Sequence, residues 1–253
     1  MQNNYTKLIN NLNDLSLFKF SQNLESYLNS INDGSKSVVD ALFELSQLEI
    51  NLKTERAMNA CVKVANFPFI KSFEDFDFNF QPSINKEQII NYKYLNFIEK
   101  KENLVFIGSP GVGKTHLATS IGIEAAKQRT CTYFISCNDL ILQLKRARIE
   151  NRLEQRIKFF CKYKLLIVDE VGFLPLDIES SNLFFQLIAK RYEKSSTIIT
   201  TNKPLSKWAE IFIDPVLTNA ILDRLLHHSE IINIVGRSYR TKNLISELED
   251  NKQ

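Results

Sequence analysis

Between Ser37 and about Val64 the apolar residues Val38, Leu42, Leu45, Leu48 and Leu52 return at intervals of three and four, which predicts an amphipathic helix with one buried stripe. A shorter helical pattern precedes it and breaks near Asn32, Asp33 and Gly34. Residues 1–65 therefore read as a small helical domain. The pattern then changes: NFPFIKSFEDFDFNFQPSI, Asn66 to Ile84, is crowded with Phe and interrupted by Pro68 and Pro82, as an extended connector packed on a domain edge would be. The boundary is placed there, with 66–253 as a second domain, 66–100 its connector and 101–253 its core.

Beyond the connector, short apolar runs alternate with helical patterns. LVFI (Leu104 to Ile107) leads through a glycine-rich turn into a helix from Lys114, and TYFIS (Thr132 to Ser136) into a second helix. KLLIVD (Lys164 to Asp169) precedes a helix through SNLFFQLIAKRY. TIITT (Thr197 to Thr201) and IINIV (Ile231 to Val235) follow, then a last helix. Nearly continuous apolar strands between helices predict an α/β domain whose parallel sheet is covered on both faces. Chemistry in such sheets gathers at the carboxyl ends of the strands.

Composition narrows the class. A chain of 253 residues, 44% hydrophobic, can bury a sizeable core, and a formal net charge of +3 does not by itself call for a polyanionic partner. Cys61, Cys131, Cys137 and Cys161 contain no CxxC pair, so reduced thiols in a cytoplasmic protein fit better than a disulfide framework or a zinc knuckle. No window approaches the ~20 apolar residues of a membrane span, and no membrane association is expected.

The chemistry starts right after LVFI. GSPGVGKT, Gly108 to Thr115, matches G-x-x-x-x-G-K-[ST] and opens a helix. Glycines let such a loop wrap phosphates with its N–H groups inward, and the helix N-terminus favours the anion. Lys114 would reach the β- and γ-phosphates and Thr115 would ligate Mg²⁺. LLIVDE then ends a buried strand in two acids: Asp169 suits the metal shell, and Glu170 beside it can polarise water, which favours hydrolysis over transfer to a hydroxyl. In TIITTN, Asn202 would sit between phosphates and attacking water if its strand lies beside the P-loop strand.

P-loop, LLIVDE, TTN, DRLL and SYR in this order resemble the AAA+ ATPases, specifically their IstB/DnaC branch. The details look like the IstB-type helper ATPases encoded beside the transposase in certain bacterial insertion sequences. FPFIKSFEDFDFNFQPSI, GSPGVGKTHLA, LLIVDEVGFLPLD, TTNKP, ILDRLLHHSEIINI and GRSYR carry the likeness, from about Phe67 to Arg240. The resemblance implies an αβα sandwich on a five-stranded parallel sheet of order 5-1-4-3-2, ATP-driven homo-oligomerisation and action on DNA. It assigns Gly108, Ser109, Pro110, Gly111, Val112, Gly113, Lys114, Thr115 and His116 to ATP, and Thr115 and Asp169 to Mg²⁺. Glu170 becomes the water activator and Asn202 the γ-phosphate sensor. Arg224 becomes an arginine finger entering the neighbouring subunit's site, and Arg240 a second sensor on its own subunit's nucleotide. DFDFN, Asp75 to Asn79, corresponds to the adenine side.

From Leu142 to Lys164 eight basic residues (Lys145, Arg146, Arg148, Arg152, Arg156, Lys158, Lys162, Lys164) stand against Glu150 and Glu154, whereas the first sixty residues hold seven acids and five bases. This segment is either a solvated helical face or a contact to the phosphates of double-stranded DNA, largely independent of sequence. No base-reading motif accompanies it. Adjacent His227 and His228 find no further metal ligands in neighbouring sequence and read as packing or interface residues. The leading expectation is an ATP-hydrolysing, DNA-binding transposition helper that engages a transposase; the alternative is a DnaC-like replicative helicase loader. A metabolic P-loop kinase fits Glu170 and Arg224 poorly, and a non-hydrolysing ATP-gated scaffold is separated from the leading reading by Glu170→Gln.

Overall fold

The computed structural model describes residues 3–241, and the chain divides into two compact units, Met1–Ala60 and Cys61–Gln253. The last helix expected after IINIV falls outside the described residues.

The first unit holds α1 (Asn4–Asp14), α2 (Phe18–Asn32) and most of α3 (Val38–Val64). Leu12, Leu24 and Leu45 form its core, flanked by Ile9, Leu17, Phe20 and Tyr27. The buried face of α3 keeps only part of the expected stripe. Leu45 is buried and Leu48 and Leu52 are half-buried, but Val38 and Leu42 are exposed, and Ala41 and Glu49 join Leu45 on the inward face. The reason lies at the start of α2, whose N-cap, Leu17, has no side chain able to bond the free N–H groups of the first turn. Glu49 supplies the cap from α3: its Oε2 accepts from the N–H of Lys19 at 2.7 Å and of Phe20 at 3.3 Å. A carboxylate at a helix N-terminus is also favoured by the dipole.

The second unit continues with α4 (Lys86–Asn91), α5 (Asn96–Glu99), β1 (Asn103–Gly108), α6 (Lys114–Lys127), β2 (Thr132–Ser136), α7 (Cys137–Ile149) and α8 (Leu153–Cys161). Then come β3 (Leu165–Val171), α9 (Ile178–Arg191), β4 (Ser196–Thr201), α10 (Ala209–Phe212), α11 (Pro215–Leu226) and β5 (Ser229–Ile234). Every strand pairing is parallel, in the order β2-β3-β4-β1-β5, which is the expected 5-1-4-3-2.

Side chains alternate across the sheet with the strand period of two. Leu104, Phe106, Ile167 and Ile198 face α6 and the connector, while Leu166, Val168 and Ile199 face α7, α8, α9 and α11. Both faces are covered, which accounts for the near-continuous apolar runs. The Phe-rich stretch forms turns rather than strands, burying Phe73 and resting Phe67, Phe76 and Phe78 on the α6 side. It also closes the edge of β2: Phe134 donates its N–H to Ala65 O at 2.8 Å, and Asn66 Nδ2 donates to Phe134 O at 2.9 Å.

Arg191, at the end of α9, is a fully buried cation held by oxygen acceptors. It donates to Phe160 O at 2.8 Å, Tyr163 O at 2.9 Å, Ser196 O at 2.5 Å and Thr197 Oγ1 at 3.1 Å. One guanidinium thus joins the end of α8 to the starts of β3 and β4.

Candidate nucleotide-binding site

The strand–loop–helix unit forms as the sequence predicts: β1 ends at Gly108, and α6 begins at Lys114 with Gly113 as its N-cap. Two glycines are required by geometry. Gly113 sits at φ +97°, where a Cβ would lie 2.4 Å from Phe76 Cε2, and a Cβ on Gly111, at φ +83°, would lie 2.0 Å from Ser238 Oγ. Connector and carboxy-terminal segment therefore press directly on the loop. Tyr239 adds a bond from its N–H to Gly111 O at 2.9 Å, and Gln81 Nε2 donates to Arg237 O at 2.8 Å.

These segments enclose a cavity of about 370 Å³, within the usual size of a small-molecule site. Pro110, Gly111, Val112, Gly113, Lys114, Thr115, His116, Glu170, Asn202 and Arg240 all line it. Gly108 and Ser109 turn their carbonyls to Lys114, whose Nζ donates to each at 2.8 Å. Burial lowers the Lys114 pKa and the Arg240 charge adds to that, while Asp169 and Glu170 oppose it. The ammonium is thus aimed across the loop mouth in surroundings that an anion would relieve.

Beneath the loop, Thr115 Oγ1 lies 2.9 Å from Asp169 Oδ1 and 3.1 Å from Oδ2. Adjacent ligands of an octahedral Mg²⁺, with bonds of about 2.0–2.1 Å, stand about 2.9 Å apart. The hydroxyl and carboxylate therefore fit one edge of that shell. Burial raises the Asp169 pKa, opposed by hydrogen bonds from Thr200 and Thr115 and by the Lys114 charge.

Glu170 owes its direction to a bulge. The β3–β4 register shifts between Val168 and Val171, and Glu170 takes a left-handed φ of +61°. A non-glycine residue there costs about 1–2 kcal/mol, and a bulge re-aims a side chain; here Glu170 is turned out of the strand alternation onto the cavity wall. Thr200 holds the bulge. Its Oγ1 accepts the Glu170 N–H at 2.9 Å and donates to Asp169 Oδ1. Sequence reading passed over Thr200, although it lies inside the quoted TIITT run; with β4 between β1 and β3, its side chain was bound to fall beside the phosphate site. That same placement puts Asn202, just past the tip of β4, next to the P-loop strand.

His116 lines the cavity but is committed elsewhere. Its Nε2 donates to Ser72 O at 2.9 Å, and its ring meets Phe76 edge-on with centroids 5.3 Å apart. Burial lowers its pKa, keeping it neutral at neutral pH. It fastens α6 to the connector wall formed with Phe69, Phe76 and Gln81. Asp75, Phe76 and Asp77 of the connector line the same cavity.

Arg224 does not enter this cavity. It lies on α11, donates Nη1 to Ala220 O at 2.9 Å, and stacks its guanidinium over Phe185, 4.9 Å from the ring centroid. The basic segment occupies α7 and α8, where most of its charges are paired. Lys145 meets Asp177 at 2.7 Å, Arg148 meets Glu179 at 3.2 Å, and Lys158 meets Glu154 at 3.1 Å. Arg146 and Arg152 share Glu150, and Arg156 bonds Gln143 and stacks over Phe159. Arg146, Arg152 and Arg156 line a second, polar cavity of about 450 Å³ between the two helices.

A P-loop at the carboxyl edge of a parallel 5-1-4-3-2 sheet, with acids at the tip of β3 and an asparagine after β4, defines the AAA+ class of P-loop NTPase folds. Comparison with solved structures agrees. The DnaC helicase loader superposes with a TM-score of 0.54 at 24% identity, over 68% of this chain and 98% of that one. AMPPCP-bound DnaA from Aquifex aeolicus gives 0.55 at 20% identity, over 71% and 55%. The chain belongs to the IstB-like ATP binding protein family, whose sequence pattern matches residues 10–246. It is 52% identical over 250 residues, 99% of its own length and 100% of the relative's, to a protein of Bacillus thuringiensis subsp. berliner named as the ATP-binding protein of insertion sequence IS232. Among the described residues no helix is long and apolar enough to cross a membrane.

Proposed function

We propose that this chain is a Mg²⁺-dependent ATPase that assists DNA transposition, assembling with ATP on double-stranded DNA and engaging a transposase. The observation that carries the reading is the gathering of Lys114, the Thr115–Asp169 pair, Glu170, Asn202 and Arg240 at one cavity, with Arg224 outside it. ATP supplies the scissile phosphoanhydride, and Thr115 and Asp169 would hold the Mg²⁺ that would neutralise phosphate charge. Gly111, Gly113 and Lys114 hold the phosphates, Glu170 takes the proton of the attacking water, Asn202 orients that water, and Arg240 senses the nucleotide of its own subunit. Arg224 acts in trans: a permanent cation entering the neighbour's site stabilises charge on the transferred phosphoryl, so hydrolysis depends on assembly.

The α7–α8 surface takes the DNA backbone. Its ion pairs are largely exposed and each contributes only about 0–1 kcal/mol, so phosphates can compete for the same cations. The loader reading rests on a structural likeness that speaks for fold alone, whereas the 52%-identical relative carries an insertion-sequence name. Glu170→Gln tests the central claim: turnover disappears while ATP-dependent oligomers on DNA persist. Hydrolysis at the parental rate overturns it.

A further inference from the structure

Neighbouring residues on a helix point about 100° apart, so adjacent histidines on one do not share a target. Here α11 ends at Leu226 and β5 begins at Ser229, leaving His227 and His228 in the turn between them. The turn brings their ring centroids to 4.0 Å. Both rings face one oxygen: Glu193 Oε1 lies 3.7 Å from His227 Nδ1 and 3.7 Å from His228 Nε2. Glu193 belongs to the turn between α9 and β4, where it holds a left-handed φ of +56°. The Oη of its neighbour Tyr192 lies 2.8 Å from the same His227 Nδ1, a hydrogen bond that an ion held by that nitrogen would displace.

A zinc-class ion binds imidazole nitrogen and carboxylate oxygen at about 2.0–2.2 Å, which puts adjacent ligands of a tetrahedral shell about 3.3–3.4 Å apart. The two separations to Glu193 exceed that edge by a few tenths of an ångström, within reach of side-chain rotation. One ligand atom from each of the three residues lies within 4.8 Å of the other two. All three side chains are half-exposed, so an ion can enter and the fourth position opens to solvent. Glu193 is the ligand that sequence alone did not supply, because it arrives from a different turn of the fold.

We propose that Glu193, His227 and His228 form a binding site for a zinc-class divalent cation, separate from the nucleotide cavity. Two imidazole ligands select against Mg²⁺, which prefers oxygen, so this site and the Thr115–Asp169 pair take different ions. A bound ion ties the α9–β4 turn to the end of α11, the helix that carries Arg224 over Phe185 of α9. The site itself does not depend on the ATPase reading.

Co²⁺ titration of the untagged full-length chain, followed by visible absorption with Mg²⁺ in excess, tests the proposal. The expected result is one saturable equivalent, weakened at least ~10-fold in both His228→Ala and Glu193→Gln, since even removing a ligand's hydrogen-bond partner costs that much. Lys114→Ala leaves the titration unchanged, which separates this site from any failure of the nucleotide reading. A wild-type titration that superimposes on that of the folded His227→Ala/His228→Ala double variant overturns it.

Discussion

Thr200→Val removes one hydroxyl and little volume, and two hydrogen bonds go with it. The hydroxyl donates to the Asp169 carboxylate and accepts the Glu170 N–H. Loss of a bond to a charged group costs about 1.5–3 kcal/mol and an orphaned, part-buried N–H about 1–3 kcal/mol, together about 2.5–6 kcal/mol at neutral pH. The deficit depends on pH with a definite sign. Burial already holds the Asp169 pKa above its ordinary value, so between the unfolded and folded values the native chain binds more protons than the unfolded one. Stability from this group is therefore present at low pH and lost as pH rises from about 4 through the folded pKa. Valine removes a bond that favours the ionised carboxylate, raises the folded pKa further and deepens that loss. Urea unfolding at several pH values, followed by fluorescence of the chain's one tryptophan, the fully buried Trp208, reads the difference. A neutral-pH deficit under about 0.5 kcal/mol, the size of an inconsequential surface substitution, refutes the argument. So does a deficit that stays constant across the pH range.

Arg224→Ala leaves ATP affinity of the dilute chain unchanged and cuts concentration-dependent turnover about 10³-fold or more, the scale of a lost arginine finger; weakened ATP binding by the monomer contradicts the trans role. Gly113→Ala, strained at φ +97° and driven against Phe76, weakens ATP binding about tenfold or more by calorimetry, and wild-type affinity counts against the loop geometry. Replacing Arg146, Arg152 and Arg156 with Ala lowers the slope of log affinity for duplex DNA against log salt by about 2–3, measured by fluorescence anisotropy; an unchanged slope removes α7–α8 from the DNA surface.

What could be read from residue order shares a physical origin. Strand and helix periods, the spacing of GSPGVGKT and the acids closing LLIVDE are local patterns, and the sheet order came with the family resemblance they carry. What escaped depends on contacts between distant positions. Glu49 faces inward because α2 lacks a capping side chain thirty residues earlier. The Glu170 bulge is held by Thr200, a neighbour only once β4 lies beside β3. His116 reads as a nucleotide contact from its place after the P-loop, yet its ring nitrogen is taken by Ser72, a residue of the connector. The basic run gives its charges plainly but not their partners, since Asp177 and Glu179 come from the start of another helix.

The closure of β2 bears on how copies of the chain can meet. An open rim strand offers unpaired N–H and carbonyl groups on which another chain can template. In the middle of β2 both outward groups of Phe134 are already taken by Ala65 and Asn66, with Asn66 at a left-handed φ of +61° that asparagine tolerates. The sheet is thereby stopped from growing sideways at that point, and a β-ribbon running from subunit to subunit is barred there. A copy of the chain meeting this rim must do so through side chains and loops, or else displace Ala65 and Asn66 before any strand ladder can form there.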